Sequence, residues 1–176
     1  MTSPMSAFAV TTSIRATPER IWALLTDAAG YVRWNNTVQK VDGKVAPGER
    51  VTVHPKINPG RAFPVKVAEF QPPRRMVWTG GMPLGLFKGE RTFTLTPGAN
   101  GEVQFSMREE YTGLMAPLIS RSIPDLQLSF DEFANDLKRA AEALSENQYG
   151  IQSRHQRESV EIEDAAGNIG IRSVQR

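Results

Sequence analysis

The stretch SIPDLQLSFDEFANDLKRAAEAL, from Ser122 to Leu144, decides how the rest of this chain is read. Positions 123, 126, 130, 133, 137, 141 and 144 are all apolar and fall within about 100° of arc on a helical wheel. Asp131, Glu132, Asn135, Lys138, Arg139 and Glu142 fill the other side. The spacing predicts a one-sided helix, with Ser122 as its cap and Pro124 tolerated in its first turn. Before it, from about Thr37 to Tyr111, strand follows strand. A large sheet with one late, aromatic-bearing helix to cover it predicts an α+β protein with an enclosed apolar space.

The clearest strands are Gly89 to Thr96 and Glu102 to Tyr111, joined by the turn-forming Pro97-Gly98-Ala99-Asn100-Gly101. A five-residue loop there pairs Leu95 with Val103, Phe93 with Phe105 and Arg91 with Met107. Side chains alternate along a strand, so the large apolar residues share one face while Thr92, Thr94, Gln104 and Ser106 share the other. The sheet is therefore expected to be antiparallel, wet on one side and dry on the side the helix covers.

Ala7 to Arg15 reads as a first strand with Phe8, Val10, Thr12 and Ile14 on one side. Thr17-Pro18-Glu19 opens a short helix: Thr17 caps, Pro18 suits the first position and Glu19 complements the positive end. Tyr31 to Trp34 suggests one further helical turn. Val38 to Val41, Arg50 to His54, Phe63 to Phe70 and Arg75 to Trp78 complete the strands, with turns at Asp42-Gly43 and Gln71-Pro72-Pro73. Gly80-Gly81 and Gly85 punctuate a loop.

A length of 176 residues is most simply one domain, with residues 1–145 as the folded unit and 146–176 as a tail that is flexible or forms a small hairpin. The net charge of +2, with no run of basic residues, argues against nucleic acid as a partner. No cysteine is present, which excludes disulfides, thiolate nucleophiles and Cys-based zinc sites. His54 and His155 lie far apart in sequence, and no carboxylate cluster has metal-ligand spacing, so no metal and no cofactor are expected. Met1 to Ala9 carries neither a basic nor an apolar signal region, and no stretch approaches the roughly 18 apolar residues of a membrane span. A cytoplasmic location is the expectation.

At this point the chain resembles a known family. Thr17-Pro18-Glu19-Arg20-Ile21-Trp22-Ala23-Leu24-Leu25-Thr26-Asp27, the later Trp34, and Gln71-Pro72-Pro73-Arg74-Arg75-Met76-Val77-Trp78 carry the resemblance. So do Phe87-Lys88-Gly89-Glu90-Arg91-Thr92-Phe93-Thr94-Leu95, Arg108-Glu109-Glu110-Tyr111-Thr112-Gly113 and the segment from Phe130 to Lys138. Together they are similar to the START-like group often called SRPBCC. It includes the birch-pollen allergen, polyketide cyclase-like proteins and carbon monoxide dehydrogenase accessory proteins. The resemblance covers roughly residues 7 to 145. It implies a helix-grip fold, in which a curved antiparallel sheet wraps a long C-terminal helix around a cavity, and hydrophobic-ligand binding as the common theme. The fold hosts binders, enzymes and accessory proteins alike.

Arg91 and Glu109 point to the apolar face in the register above, one diagonal step apart. An inward charge is costly unless paired. The two are read as a polar handle that orients a ligand, or as a structural ion pair at the cavity rim. Glu109 and Tyr111 are the catalytic candidates if there is catalysis, since both can exchange protons. Phe93, Phe105, Met107, Phe130 and Leu126 are candidate lining, with Phe87 and Met82 beside them. Trp22, Trp34 and Trp78 read as packing anchors. Two apolar loops, 82–87 and 114–119, read as a portal, a contact for a protein partner or a second copy, a membrane touch without stable insertion, or inward-folded core. The functional expectation is binding or transport of a small hydrophobic ligand, whether lipid, polyketide-like or aromatic. The alternatives are a cyclase or dehydratase acting on a polyketide-like substrate, and an accessory protein of a larger complex. The lack of His and Cys nucleophiles favours binding.

Overall fold

The computed structural model describes residues 7–143. The chain divides after Glu142, and the architecture below is that of the first unit. The expected tail, with His155 in it, and Leu144 lie outside the described residues.

Strand β1 (Ala7–Ile14) is followed by helix α1 (Pro18–Thr26), a single 3₁₀ turn at Ala28–Gly30 and the one-turn helix α2 (Tyr31–Trp34). Six strands follow: β2 (Val38–Gly43), β3 (Arg50–Pro55), β4 (Phe63–Gln71), β5 (Arg75–Met82), β6 (Phe87–Pro97) and β7 (Val103–Thr112). A short helix α3 (Ala116–Ile119) precedes the long helix α4 over residues 127–143. The sheet runs β1-β7-β6-β5-β4-β3-β2, antiparallel throughout. Seven strands curl into a half-barrel and α4 lies in its hollow, so the helix-grip architecture is the observed one.

The start of α1 follows from its sequence. The Thr17 hydroxyl accepts the Arg20 N–H, and Pro18 occupies the first turn, where its missing N–H costs nothing. On β1, Ile14 is buried while Ala9, Thr11 and Ser13 are exposed, as period-two alternation requires.

The β6–β7 hairpin closes more tightly than expected. The Gly98 N–H donates to Glu102 O at 2.8 Å, leaving Ala99–Gly101 as the turn, with Asn100 and Gly101 at positive φ. The register moves by two residues: Leu95 faces Phe105, Phe93 faces Met107 and Arg91 faces Glu109. A shift of two keeps every side chain on its expected face, because the pleat repeats every two residues.

Other boundaries also moved. β2 continues through Asp42 and Gly43, where a turn was expected. β5 continues through Gly80 and Gly81, which pair with Gly89 and Lys88 rather than forming a loop. Gly81 has φ +149, and a Cβ there would lie 2.2 Å from Phe87 O, so the close approach needs glycine. Helix α4 begins later than predicted. Ser122 does not cap it; its hydroxyl donates to Ile119 O. The Asp125 carboxylate instead accepts the Gln127 N–H, and the first helical bond runs from Phe130 N–H to Leu126 O. Pro124 explains this, since a residue before proline is disfavoured in the helical region. Ile123 and Leu126 therefore precede the helix.

Side-chain hydrogen bonds fasten α4 on both flanks. On the β1 side Gln127 donates to Ala9 O, Lys138 donates to Ser13 O, and Glu142 accepts the Arg15 N–H. On the other side the buried Asp136 accepts the Asn36 N–H at 2.6 Å. Between these lines Phe130, Phe133, Ala134, Leu137 and Ala141 are buried against the sheet.

Candidate functional site

The inner face of β6 and β7 grades from apolar to polar along the strands. Phe93, Leu95, Phe105 and Met107 are buried, and two residues further along come Arg91 and Glu109. Arg91 Nε donates to Glu109 Oε2 at 2.6 Å, and its Nη2 reaches the same oxygen. The Tyr111 hydroxyl donates to the other oxygen, Oε1, at 2.9 Å. Both carboxylate oxygens are thus engaged. The Arg91 guanidinium sits 5.0 Å from the Phe130 ring centroid, a cation–π contact between sheet and helix. Phe87 stacks on Tyr111 at 5.7 Å, and Phe8 packs against Phe130 at 6.0 Å.

This environment alters the phenols. Burial pushes the Tyr111 hydroxyl well above its usual range, and the charge of Glu109 and the hydrogen bond to it push the same way, against an opposing pull from Arg91. Burial likewise pushes Tyr31 up, with Arg91 again opposing, and the Tyr31 hydroxyl donates to Leu25 O at 2.9 Å. Both phenols are fixed donors rather than latent bases.

Phe133 of α4 is the hub of the interior. It contacts Tyr31, Trp34, Phe93 and Phe105, with centroid separations from 5.4 to 6.3 Å. Trp78 packs edge-on to Phe93 at 5.1 Å, and Tyr31 lies 5.0 Å from Trp34. All three tryptophans pack as anchors, Trp22 against Phe70.

Of the ten residues expected at the site, Arg91, Glu109, Tyr111, Phe87 and Phe130 form one connected cluster. Phe93, Phe105 and Met107 form the wall beside it, and Leu126 is partly buried against the core. Met82 ends β5 opposite Phe87 and is 43% exposed. The two apolar loops meet each other: the Met115 N–H donates to Leu86 O at 2.7 Å. Ala116 is buried, but Leu84 is 96% exposed and Leu114 83%. Leu84, Leu114 and Leu118 therefore do not fold inward, whereas Leu86 is half-buried.

A groove of about 360 Å³ opens where the first turn of α4 passes the end of β3, bounded by Asn36, Thr37, Lys56, Ile57, Leu128 and Glu132. Its one advance signal is Leu128, an apolar residue outside the buried stripe of α4. Among the described residues no cluster of three His, Asp or Glu side chains could hold a metal ion, and no helix is long and apolar enough to cross a membrane. His54 hydrogen-bonds Asp42 at 2.9 Å on the outer strands.

The chain belongs to the polyketide cyclase/dehydrase and lipid transport family, whose model matches residues 5–142. Solved structures share the fold. A START superfamily protein from Mycobacterium smegmatis is 15% identical, with TM-score 0.58 over 78% of this chain and 98% of that one. The Zhui aromatase/cyclase from Streptomyces sp. R1128 is 13% identical, with TM-score 0.60 over 78% and 93%. A hypothetical protein from Helicobacter pylori is 13% identical, with TM-score 0.63 over 77% and 88%. At these identities the likeness is one of fold. No curated protein matches the sequence.

Proposed function

We propose that the protein binds a small hydrophobic molecule between α4 and the sheet, and that the Arg91–Glu109–Tyr111 cluster orients it. The carrying observation is the cluster itself: a charged pair on the aromatic inner face, with Phe87 and Phe130 on its flanks. Arginine has five N–H donors, and Glu109 engages only two of them, so the guanidinium retains donors for a ligand oxygen. A few convergent polar groups in an apolar surround are the usual composition of a ligand site. Membership in a family of cyclases, dehydrases and lipid transporters supports the same reading.

Binding is favoured over catalysis. Glu109 has both oxygens occupied, and the Tyr111 phenol is made a weaker acid by its surroundings. General acid–base work needs a group poised near the working pH. The domain read as residues 1–145 is the binding unit in this proposal. The test is native purification followed by mass spectrometry of the extracted organic phase, together with titration of an apolar fluorescent dye. A copurifying hydrophobic compound that displaces the dye supports the reading. A protein that carries nothing and takes up no dye refutes it.

A second reading rests on Leu84, Leu114 and Leu118, which are exposed on adjoining loops. Surface leucines grouped in this way suit a contact with another protein, a second copy of this chain being the simplest case. Sedimentation at several concentrations tests it. An assembly that Leu84→Lys dissolves supports the contact, and a monomer at all concentrations that captures no partner removes it.

A further inference from the structure

The exposed leucines of the two apolar loops belong to a wider pattern. β3, β5 and β7 end, and β4 and β6 begin, at one end of the antiparallel sheet, where Val53 faces Phe63 and Met82 faces Phe87. Every large hydrophobic side chain that is exposed among the described residues lies at this end. Ile57 and Phe63 flank the β3–β4 loop, Met82 and Leu84 the start of the β5–β6 loop, and Leu114 and Leu118 follow β7. Val32 and Leu128 lie on the helical turns beside the start of β2 and the end of β3. Single exposed apolar residues need no explanation, but a set gathered at one end marks a contact surface.

Charge follows the same division. Segments 55–63, 81–88 and 112–124 contain Lys56, Arg61, Lys88 and Arg121 and no acidic residue; the acids resume at Glu90 and Asp125. Lys88 is tied to Glu90, and Arg61 lies over the Phe63 ring at 5.2 Å. Lys56, Arg61 and Arg121 form no ion pair among the described residues. The loop backbone bonds internally: Leu86 N–H donates to Pro83 O, Met115 N–H to Leu86 O, and the Leu118 and Ile119 N–H groups both to Met115 O. Polar backbone satisfied in this way loses little on leaving water. Leu84 holds φ +58, an uncommon conformation for leucine, and is 96% exposed, so no packing within the fold offsets the cost.

A symmetric contact with a second copy would set these cations against their own kind. An anionic lipid surface complements them, and its fluid interface accepts protruding side chains without a matching pocket. We infer that this end of the sheet rests on an anionic lipid surface, with Leu84, Leu114 and Leu118 dipping into the interface and Lys56, Arg61 and Arg121 facing the headgroups. The contact is interfacial, made by loops rather than by a spanning helix. It goes beyond the ligand-binding reading and stands independently of it, since it uses none of the Arg91–Glu109–Tyr111 cluster.

The test sediments full-length protein with sucrose-loaded vesicles. One set is phosphatidylcholine alone, and the other is phosphatidylcholine and phosphatidylglycerol in equal parts. The protein should pellet with the mixed vesicles and bind the neutral ones about tenfold more weakly. Leu84→Ser with Leu114→Ser should weaken binding to the mixed vesicles by about tenfold or more, with thermal unfolding unchanged because both side chains are exposed. Lys56→Gln with Arg121→Gln should remove most of the preference for mixed vesicles. Lys44→Gln with Arg74→Gln makes the same change in net charge at the opposite end and should leave binding as it was. Protein that stays in the supernatant with mixed vesicles would overturn the inference, and a dimer that Leu84→Ser dissolves would then assign the loops to a second copy. Equal binding to the two vesicle types, or equal losses from the charge variants at both ends, would overturn it as well.

Discussion

Arg91 and Glu109 are directly opposed across β6 and β7, with 2.6 Å between Nε and Oε2, and their side chains are 27% and 15% exposed. Two charges half withdrawn from water on an aromatic face persist because each supplies what the other lacks. The Tyr111 hydroxyl satisfies the remaining carboxylate oxygen.

That opposition predicts strong non-additivity. Glu109→Ala leaves a partly buried guanidinium unpaired against Phe130 and should cost roughly 1–3 kcal/mol, less than removing one partner of a fully buried pair. Arg91→Met combined with Glu109→Leu should recover much of that loss. A double-mutant cycle by chemical denaturation should give a coupling of about 1–3 kcal/mol. Strictly additive losses would show that the pair contributes nothing as a unit.

The raised phenols predict alkaline weakness. An unfolded tyrosine ionises near pH 10, whereas Tyr31 and Tyr111 resist ionisation in the fold. Above that pH the unfolded chain has lost protons that the native state keeps, so stability is full below pH 10 and falls as pH rises beyond it. Tyr111→Phe should flatten the alkaline limb of a stability–pH curve. An unchanged slope in that variant would assign the effect elsewhere.

Phe133 and Leu128 separate packing from access. Phe133→Ala removes the ring that joins four aromatic partners and should cost about 3–5 kcal/mol. Leu128 is 81% exposed at the groove, so Leu128→Ala should change stability by no more than about 0.5 kcal/mol. If the groove is the ligand's approach, Leu128→Lys should still slow dye uptake in stopped-flow mixing. Identical uptake rates would place the entrance elsewhere.

Gly113 holds the two apolar loops together. Its φ is +113, and a Cβ there would lie 2.7 Å from both Gly85 O and Leu86 O. Gly113→Ala should therefore destabilise by more than about 1 kcal/mol. Gly48→Ala also carries a positive φ but meets nothing within 4 Å, so its loss should be smaller. Thermal unfolding of the two variants makes the comparison, and equal shifts would remove the steric account.

Much of this was legible beforehand because strands and helices impose periods of 2 and 3.6 on side chains. The faces of β1, β6 and β7 and the buried stripe of α4 follow from those periods. The pairing of Arg91 with Glu109 was read as diagonal because Pro97 was placed in the turn, and only backbone closure at Gly98 and Glu102 decides that. The start of α4 depended on the local effect of Pro124 outweighing apolar spacing that reached back to Ile123. The Asp136 fastening was not legible, and the groove showed only in Leu128. Each joins residues from separate elements, Asn36 and Asp136 being 100 positions apart, and periodicity within one segment says nothing about such meetings.

The helix bonds to β1 also bear on how copies of the chain meet. β1 is an edge of the sheet, and α4 side chains bond Ala9 O and Ser13 O along it and the Arg15 N–H just past its end. An open edge of this kind is a template on which a neighbouring chain can add a strand. Gln127, Lys138 and Glu142 occupy those backbone groups and leave an incoming strand without a continuous ladder. The helix that covers the interior thus also guards the rim of the sheet against edge-to-edge aggregation.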